Sequence, residues 1–419
     1  MDKPSVMVVG AGVGGLCLAQ GLKASGVPVK VFERDSSKTS PVPGYRISIN
    51  AAGSRALHSC LPAEAFERLT VLTGAPGRRV SFLDHRLNRL LAFDFPHQDR
   101  RSIDSERPVD RPVLRRVLLE GLDDIVSFGK TFLAFEDALD GGVTAVFSDG
   151  SRATAELLVG ADGANSAVRR QLLPEAKRVD TGIFAIGGKL RLGGGDRTPV
   201  PEALLHGPTP ILGPDGCFMY ASAVLYDDLE EAGGTETGEG LDRGDYLLWG
   251  FSARRERFGV GAAPERQSGD ELKREVERLT PEWHPDLRRI VRETDPATVT
   301  GFPIKTSTPV QPWKTRNVTL IGDALHNMPP YRGIGANTAL WDAALLRETI
   351  VDGQGRPLLE RLADYERRMI DHGFRAVRTS LAATAQFHSE SRLGRLLTKA
   401  FFRTLDRVPP LRAALMGAD

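Results

Sequence analysis

The 419-residue sequence predicts an α/β protein: a parallel-sheet domain interrupted by an inserted antiparallel-sheet domain and followed by C-terminal helices. Three observations predict it. Near the start, an apolar strand runs straight into a glycine-rich turn and a helix. Near residue 320 a second apolar strand again leads through glycines into a helix. Between them, residues 181–300 lose helical periodicity and read as apolar strands separated by Gly-rich loops.

The chain begins with Ser5–Val9, an apolar stretch of strand type. Gly10-Ala-Gly12-Val-Gly14-Gly15 follows at once, Leu16–Ala24 reads as a helix, and Val27–Phe32 is a second strand ending at Glu33. Strand, GxGxxG, helix, strand and acid in this order form the fingerprint of a Rossmann-like dinucleotide-binding unit. The spacing has a mechanism. Gly10 permits the tight turn, Gly12 lets the backbone approach a pyrophosphate, Gly14 continues the turn, and Gly15 lets the helix pack closely on the sheet. Glu33 is placed to accept hydrogen bonds from an adenosine ribose, with Arg34 beside it. The fingerprint says dinucleotide and does not say which one.

After a loop over Ser36–Pro43, Gly44–Asn50 alternates like a strand and contains Arg46, and Ala51–Cys60 reads as a helix. Arg79–Phe95 holds two apolar runs and reads as a β-hairpin. Arg111–Leu118 starts a helix with a proline in its first turn. Val143–Phe147 and Ala155–Val159 are strands flanking the turn Ser148-Asp-Gly-Ser, and the second runs into Gly160-Ala-Asp162-Gly163 before a helix over Ala164–Leu173. Asp162 thus sits at a strand's C-terminal lip, where an Asp before a helix is very often an N-cap. Strands at Phe184–Leu192, Cys217–Leu225 and Asp245–Ala253, and helices at Gly269–Thr280 and Pro285–Glu293, fill the inserted region. Gly193–Gly195 has no following helix and is not a phosphate loop; Glu230–Gly244 is an acidic loop. Gly301–Ile304 returns the chain to the first domain.

Val318–Ile321 is the second key strand. Gly322 ends it and Asp323 sits at its C-terminal lip, where ligands bind in open α/β sheets. Pro329 and Pro330 stop regular structure, Gly333 and Gly335 allow a close-approaching backbone, and a helix begins near Ala336 and Asn337 and runs to about Gly353. Such a helix start offers free N–H groups and partial positive charge to an electron-rich ligand. An ordinary strand–turn–helix with turn chemistry alone is the competing reading. From about Arg361 the chain is helical and Arg-rich, and Leu393–Arg403 is amphipathic. Packing against its own domain is the expected use of that helix; a membrane surface is the other.

The N-terminal fingerprint, Gly160-Ala-Asp162-Gly163 and Gly322-Asp323, in that order, resemble the FAD-dependent aromatic hydroxylases, the single-component (group A) flavoprotein monooxygenases of para-hydroxybenzoate hydroxylase type. The resemblance covers most of residues 5–350. It implies a Rossmann-like FAD-binding domain (GR2-type) made of residues 1–72, 101–180 and 301–355, a substrate-binding β-sheet domain of 73–100 and 181–300, and a C-terminal helical segment of 356–419. It implies that Arg46 lies beside the flavin and that Arg111, rather than Arg115 or Arg116, touches FAD. Asp162 is assigned to the pyrophosphate region and to a transient donor, Asp323 to the ribitol, and the Gly333–Asn337 helix start to the flavin's N1–C2 edge. It leaves His326 largely structural. The implied chemistry uses FAD, NADH or NADPH as transient donor and O2 as co-substrate. One oxygen atom passes from a flavin C4a-hydroperoxide to an organic, aromatic or polycyclic substrate. No Ser–His–Asp set or carboxylate pair offers a rival, and Arg46 is the one side chain with a possible part in catalysis. A flavin-dependent reductase or dehydrogenase, an alkene epoxidase and a flavin-binding regulatory protein are the alternatives. The halogenase Trp-x-Trp-x-Ile-Pro stretch is absent.

A net charge of +1 gives no electrostatic case for nucleic acid. The 3 cysteines, Cys17, Cys60 and Cys217, argue against a disulfide framework and for a reducing compartment, and no Cys–His spacing marks a metal site. No apolar run approaches the ~20 residues of a membrane span. With so little chain before the first strand, no signal peptide is expected. The expectation is a cytoplasmic monomer or homodimer acting on a small molecule.

Overall fold

The computed structural model describes residues 3–40, 44, 46–95, 98–139, 141–193, 200–226, 244–259, 267–352 and 355–408. Gly194 and Gly195, most of the acidic loop over Glu230–Gly244, part of the Ser36–Pro43 loop and the expected helix end at Gly353 lie outside them. The chain divides into two compact units. One gathers Met1–Thr73, Asp99–Val179 and Lys305–Leu381; the other gathers Gly74–Gln98, Asp180–Ile304 and Ala382–Asp419. The C-terminal segment is therefore shared, changing unit at Leu381.

The first unit is built on a five-stranded sheet in the order β17-β11-β1-β2-β7. Its strands are β1 (Val6–Val9), β2 (Val29–Phe32), β7 (Val126–Ser127), β11 (Leu157–Gly160) and β17 (Val318–Leu320), and every pairing is parallel. β1, β11 and β17 are buried at every residue, which is why they read as unbroken apolar runs: a parallel sheet is covered on both faces. Helices α1 (Val13–Ala24) and α9 (Gly335–Val351) pack against each other through small residues; a Cβ on Gly14 would lie 3.2 Å from the Ala339 carbonyl oxygen. α2 (Ala51–Cys60), α3 (Ala63–Leu72), α4 (Arg111–Leu119), α5 (Ala167–Leu172), the single turn α8 (Asp323–His326) and the long α10 (Leu358–Phe387) complete the helices. A two-stranded ribbon, β3 (Arg46–Ile49) with β6 (Arg107–Asp110), and a three-stranded sheet, β8 (Phe132–Asp137), β9 (Val143–Phe147) and β10 (Arg152–Ala155), are added. The expected single strand Ala155–Val159 is in fact two. β10 pairs antiparallel with β9, whereas β11 joins the parallel core. Glu156 stands at the break, where its backbone N–H and carboxylate are both bonded to Ser5. α3 was not legible as a separate element.

The second unit contains a seven-stranded sheet in the order β16-β12-β15-β14-β13-β4-β5. Its strands are β4 (Arg79–Asp84), β5 (Arg89–Asp94), β12 (Arg178–Arg191), β13 (Thr209–Leu212), β14 (Phe218–Val224), β15 (Tyr246–Arg254) and β16 (Thr300–Ser307). The pairs β12–β15, β14–β15, β13–β14 and β4–β5 are antiparallel, while β4 lies parallel to β13. α6 (Gly269–Leu279), opened by a Ser268/Glu271 capping box, and α7 (Pro285–Glu293) cover an apolar core of Phe184, Ile186, Met219, Phe251, Trp249 and Trp283. The indole of Trp249 keeps its N–H satisfied on Thr294, at 2.8 Å. The last helix, α11 (Arg392–Arg407), lies against β5. Among the described residues no helix is long and apolar enough to cross a membrane.

Candidate functional site

The register of the parallel sheet sets the site. Phe32, Val9, Gly160 and Leu320 pair across four adjacent strands, so Glu33, Gly10, Ala161 and Ile321 all leave the sheet along one C-terminal lip. Two of the sharp turns there need glycine. Gly10 has φ +109°, and a Cβ on it would sit 2.4 Å from the Ala161 carbonyl oxygen. Gly322 has φ +61°, and a Cβ would meet Ala339 at 2.8 Å. Gly15 is held against the Gly10 carbonyl oxygen, as its packing role requires. Gly12 is different: it is the N-cap of α1, and a Cβ there would enter open space.

Glu33 is 8% exposed, and its carboxylate is already engaged by two backbone N–H groups, Ala11 at 2.5 Å and Asp35 at 2.9 Å. It therefore ties the glycine turn to the end of β2. Asp35 in turn accepts from Arg115 at 2.9 Å, an ion pair in which the arginine is buried. Arg34 is exposed. Asp162 is half-buried and divides its two oxygens. Oδ2 accepts from the Ala167 and Val168 N–H groups at 2.6 and 3.2 Å, so it caps α5, while Oδ1 is buried with no hydrogen-bond partner.

Asp323 is exposed at the lip and opens α8. Pro330 begins a single 3-10 turn ending at Arg332, Gly333 follows it in the left-handed region, and α9 starts at Gly335 and Ala336. The α9 N-cap is Ile334, with no side-chain cap and no acidic residue in the first turn. α1 shares both properties. Two long helices thus present uncapped N–H groups and the positive ends of their dipoles. Asn337 is buried at 4% exposure. Its Oδ1 accepts from the Asn50 N–H at 2.9 Å and its Nδ2 donates to the Ser48 and Gly333 carbonyl oxygens. Its side chain is a clamp that fixes β3 and the start of α2 to the start of α9, leaving its backbone as the part available to a ligand.

That clamp carries the ribbon to the site. On β3, Arg46 pairs in register with Asp110, and its guanidinium donates to Ser48 at 3.0 Å. Asp110 precedes Arg111, the first residue of α4. Arg111 packs on Gly44, and burial pushes its guanidinium below the usual range while the charge of Asp323 pulls it back. Arg111 and Asp323, distant in sequence, thus come within electrostatic reach of each other, and Arg46 stands one register position from Arg111 across the ribbon.

Two residues that hold the lip together escaped the sequence reading. Asp342 on α9 is fully buried, and one of its oxygens accepts from both the Gly322 N–H at 2.8 Å and His326 at 2.6 Å. Asn50 caps α2 through the Gly53 N–H while its own N–H engages Asn337. A cap signal exists at Asn50; nothing local marks Asp342. Among the described residues no cluster of His, Cys, Asp and Glu is placed to hold a metal ion. The lip offers two uncapped helix starts, the exposed carboxylate of Asp323 and the half-buried guanidinium of Arg111, a set that suits an elongated ligand with an anionic middle.

Residues 248–380 match the family model described as FAD binding domain. The chain is 32% identical over 369 residues to the FAD-dependent monooxygenase dbaB of Emericella nidulans, covering 84% of this chain and 88% of that one. It is 30% identical over 406 residues to the dual O-methyltransferase/FAD-dependent monooxygenase CTB3 of Cercospora beticola, covering 88% of this chain and 44% of the relative. The chain therefore spans less than half the length of the first curated relatives it matches. A solved structure assigned as an FAD-containing monooxygenase of Photorhabdus luminescens superposes with a TM-score of 0.79 at 30% identity, covering 91% of this chain and 98% of that one.

Proposed function

We infer the function from one premise: this chain belongs to the FAD-dependent monooxygenases. On that premise it is an enzyme that takes FAD as cofactor, NADH or NADPH as transient electron donor and O2 as co-substrate, and places one oxygen atom on a small organic molecule, aromatic or polycyclic. The observation that supports this best is the common register at the lip, which aligns Glu33, the Gly10 turn, Asp162 and Asp323 on one edge.

The residues present fit FAD. The open space at Gly12 is a cradle that a side chain would fill, and it lies at an uncapped helix start suited to a pyrophosphate. The unpartnered Asp162 Oδ1 is an acceptor awaiting a donor such as a ligand hydroxyl or a bound water. Gly10, Gly12, Gly14 and Gly15 are assigned to the pyrophosphate, and Glu33 with Arg34 to the adenosine end. Asp162, Asp323 and Arg111 are assigned to the central hydroxyls and phosphates. Pro330, Gly333, Gly335, Ala336 and the backbone of Asn337 are assigned to the polar edge of the ring, with Arg46 beside it.

FAD, when bound, supplies the electron storage and oxygen activation that no side chain here provides. The chain's own part is to bind, orient and stabilise charge. The α9 N-terminus, free of acidic residues in its first turn, stabilises negative charge at the ring edge. Asp323 is near enough for its charge to offset part of the burial cost of the Arg111 guanidinium, so a cation and a carboxylate are both offered to a ligand there.

The test is isotopic. With a true substrate, each NAD(P)H oxidised should place one atom of labelled O2 in the product, read by mass. Label arriving from water, or turnover that proceeds equally well without air, would reassign the chain to the flavin-dependent reductases.

A further inference from the structure

The helix α11 has two apolar faces, and only one of them is covered. Phe402 and Leu405 are buried at 8% and 6% exposure, with the Phe402 ring tilted against that of Phe82 in the β4–β5 hairpin, centroids 4.9 Å apart. On the opposite side Leu393, Leu396, Leu397 and Phe401 are 67%, 65%, 61% and 50% exposed. Their spacing of three, four and eight places them in a single stripe along the helix. Isolated exposed leucines need no explanation, but an unbroken stripe of them does.

The charges around the stripe identify what would cover it. Arg392, Lys399 and Arg403 follow one another at steps of seven and four, so they line one edge of the stripe, and Arg407 continues it. The adjoining β4–β5 turn adds exposed Arg86 and Arg89. Of the acids nearby, Asp84 accepts the Arg86 and Asn88 N–H groups and pairs with Arg403 at 4.0 Å, and Asp406 binds Arg89 and the Ala92 N–H, which leaves the cations here in excess. The chain as a whole carries only +1, so this is a local concentration of positive charge.

We propose that α11 is an interfacial helix that seats this protein on an anionic phospholipid surface. Leu393, Leu396, Leu397 and Phe401 enter the boundary between headgroups and acyl chains, and the arginine row contacts lipid phosphates. At 16 residues α11 is shorter than the ~20 needed to span, which fits lying in the interface. A second copy of this chain is a poorer occupant in antiparallel pairing, where a two-fold axis brings the like-charged rows together. The proposal rests on the packing of α11 and is independent of the cofactor reading.

The experiment is vesicle flotation of the full-length flavin-loaded protein, with vesicles of phosphatidylcholine alone or mixed with phosphatidylglycerol. Binding is expected on the mixed vesicles and at least about tenfold weaker on the neutral ones. Leu396→Glu with Leu397→Glu should lower binding by about a hundredfold. Arg392→Glu with Arg407→Glu should lower it by at least about tenfold. Flavin content and melting temperature should be unchanged in both variants, which shows that they are folded. Absence of flotation, equal binding to neutral vesicles, or indifference to the leucine substitutions would overturn the proposal. So would a dimer in sedimentation that the leucine substitutions dissolve, since the face would then belong to a second copy.

Discussion

Nε2 of His326 lies 2.6 Å from a carboxylate oxygen of Asp342, and both side chains are fully buried. The same oxygen accepts the Gly322 N–H, so a residue inside α9 holds the turn that presents Asp323. Removing Asp342 leaves a buried imidazole and a buried N–H without their acceptor. Asp342→Ala should therefore cost on the order of 3–5 kcal/mol of stability and loosen the Asp323 turn. Chemical denaturation, with flavin release measured alongside, checks both effects.

The same pair sets a pH dependence. Burial disfavours the charged ring, but the charge and hydrogen bond of Asp342, with Asp323 adding, outweigh it and raise His326 above its ordinary 6.5. A histidine raised on folding contributes fully below the unfolded value and loses that contribution as pH climbs through the folded one. Melting temperature should fall on the alkaline side of neutrality, and His326→Gln should flatten that part of the profile.

Glu366 adds a second loss on raising the pH, at lower pH than the first and separable from it. Burial pushes its carboxyl up to about 7, partly offset by the hydroxyl of Thr315, which donates to it at 2.5 Å. Its folded value exceeds its unfolded one, so ionisation removes stability as pH rises from 4.5 through about 7. The gap corresponds to roughly 3 kcal/mol. Glu366→Gln should be more stable than the parent at pH 7 and above, the difference should shrink through mild acid, and it should vanish below pH 4.5.

Gly12→Val isolates the cofactor cradle. The added side chain meets open space in the protein, so the fold should survive with a melting temperature near that of the flavin-free parent. Flavin occupancy should drop by at least about tenfold, because the valine fills the volume assigned to the pyrophosphate. Absorbance of the purified variant reads the outcome; full yellow colour would remove the glycine turn from the site.

Asp323→Ala tests the other end. The carboxylate is exposed at the lip, so its loss should leave stability nearly unchanged. A charge-assisted hydrogen bond to the ribitol is worth about 1.5–3 kcal/mol, which predicts a roughly ten- to hundredfold weaker Kd for FAD. Titration of apo-protein with FAD measures it. Unchanged affinity with a lowered melting temperature would make Asp323 a local cap.

What could be read from the sequence follows from how far each residue's role reaches. Gly10, Gly15 and Gly322 answer to backbone geometry within a few residues, so their spacing announced them. The register that aligns Glu33, Asp162 and Asp323 followed from three apolar runs that could only be parallel core strands. Asp342 was hidden because its partners, Gly322 and His326, meet it only after α9 folds back over β17. The clamp by Asn337 was hidden for the same reason: the residue was expected at the ligand, and its side chain instead joins β3, α2 and α9. The amphipathic pattern of α11 was plain, yet periodicity alone could not say that one apolar face would stay uncovered.

The interleaving of the first unit has a consequence for biosynthesis. β1, β2 and β11 emerge from the ribosome long before β17, whose strand begins at Val318. At ~5–20 residues per second, the interval between Gly160 and Val318 lasts roughly ten to thirty seconds. Throughout it the nascent chain carries an unpaired apolar edge at β11 and half of a ligand lip. Five of the seven strands of the second unit's sheet, β12 to β16, are translated within this same interval. On the site proposed above, flavin capture waits for the Gly322–Asn337 stretch, so early-terminated chains should be colourless and prone to edge-to-edge association.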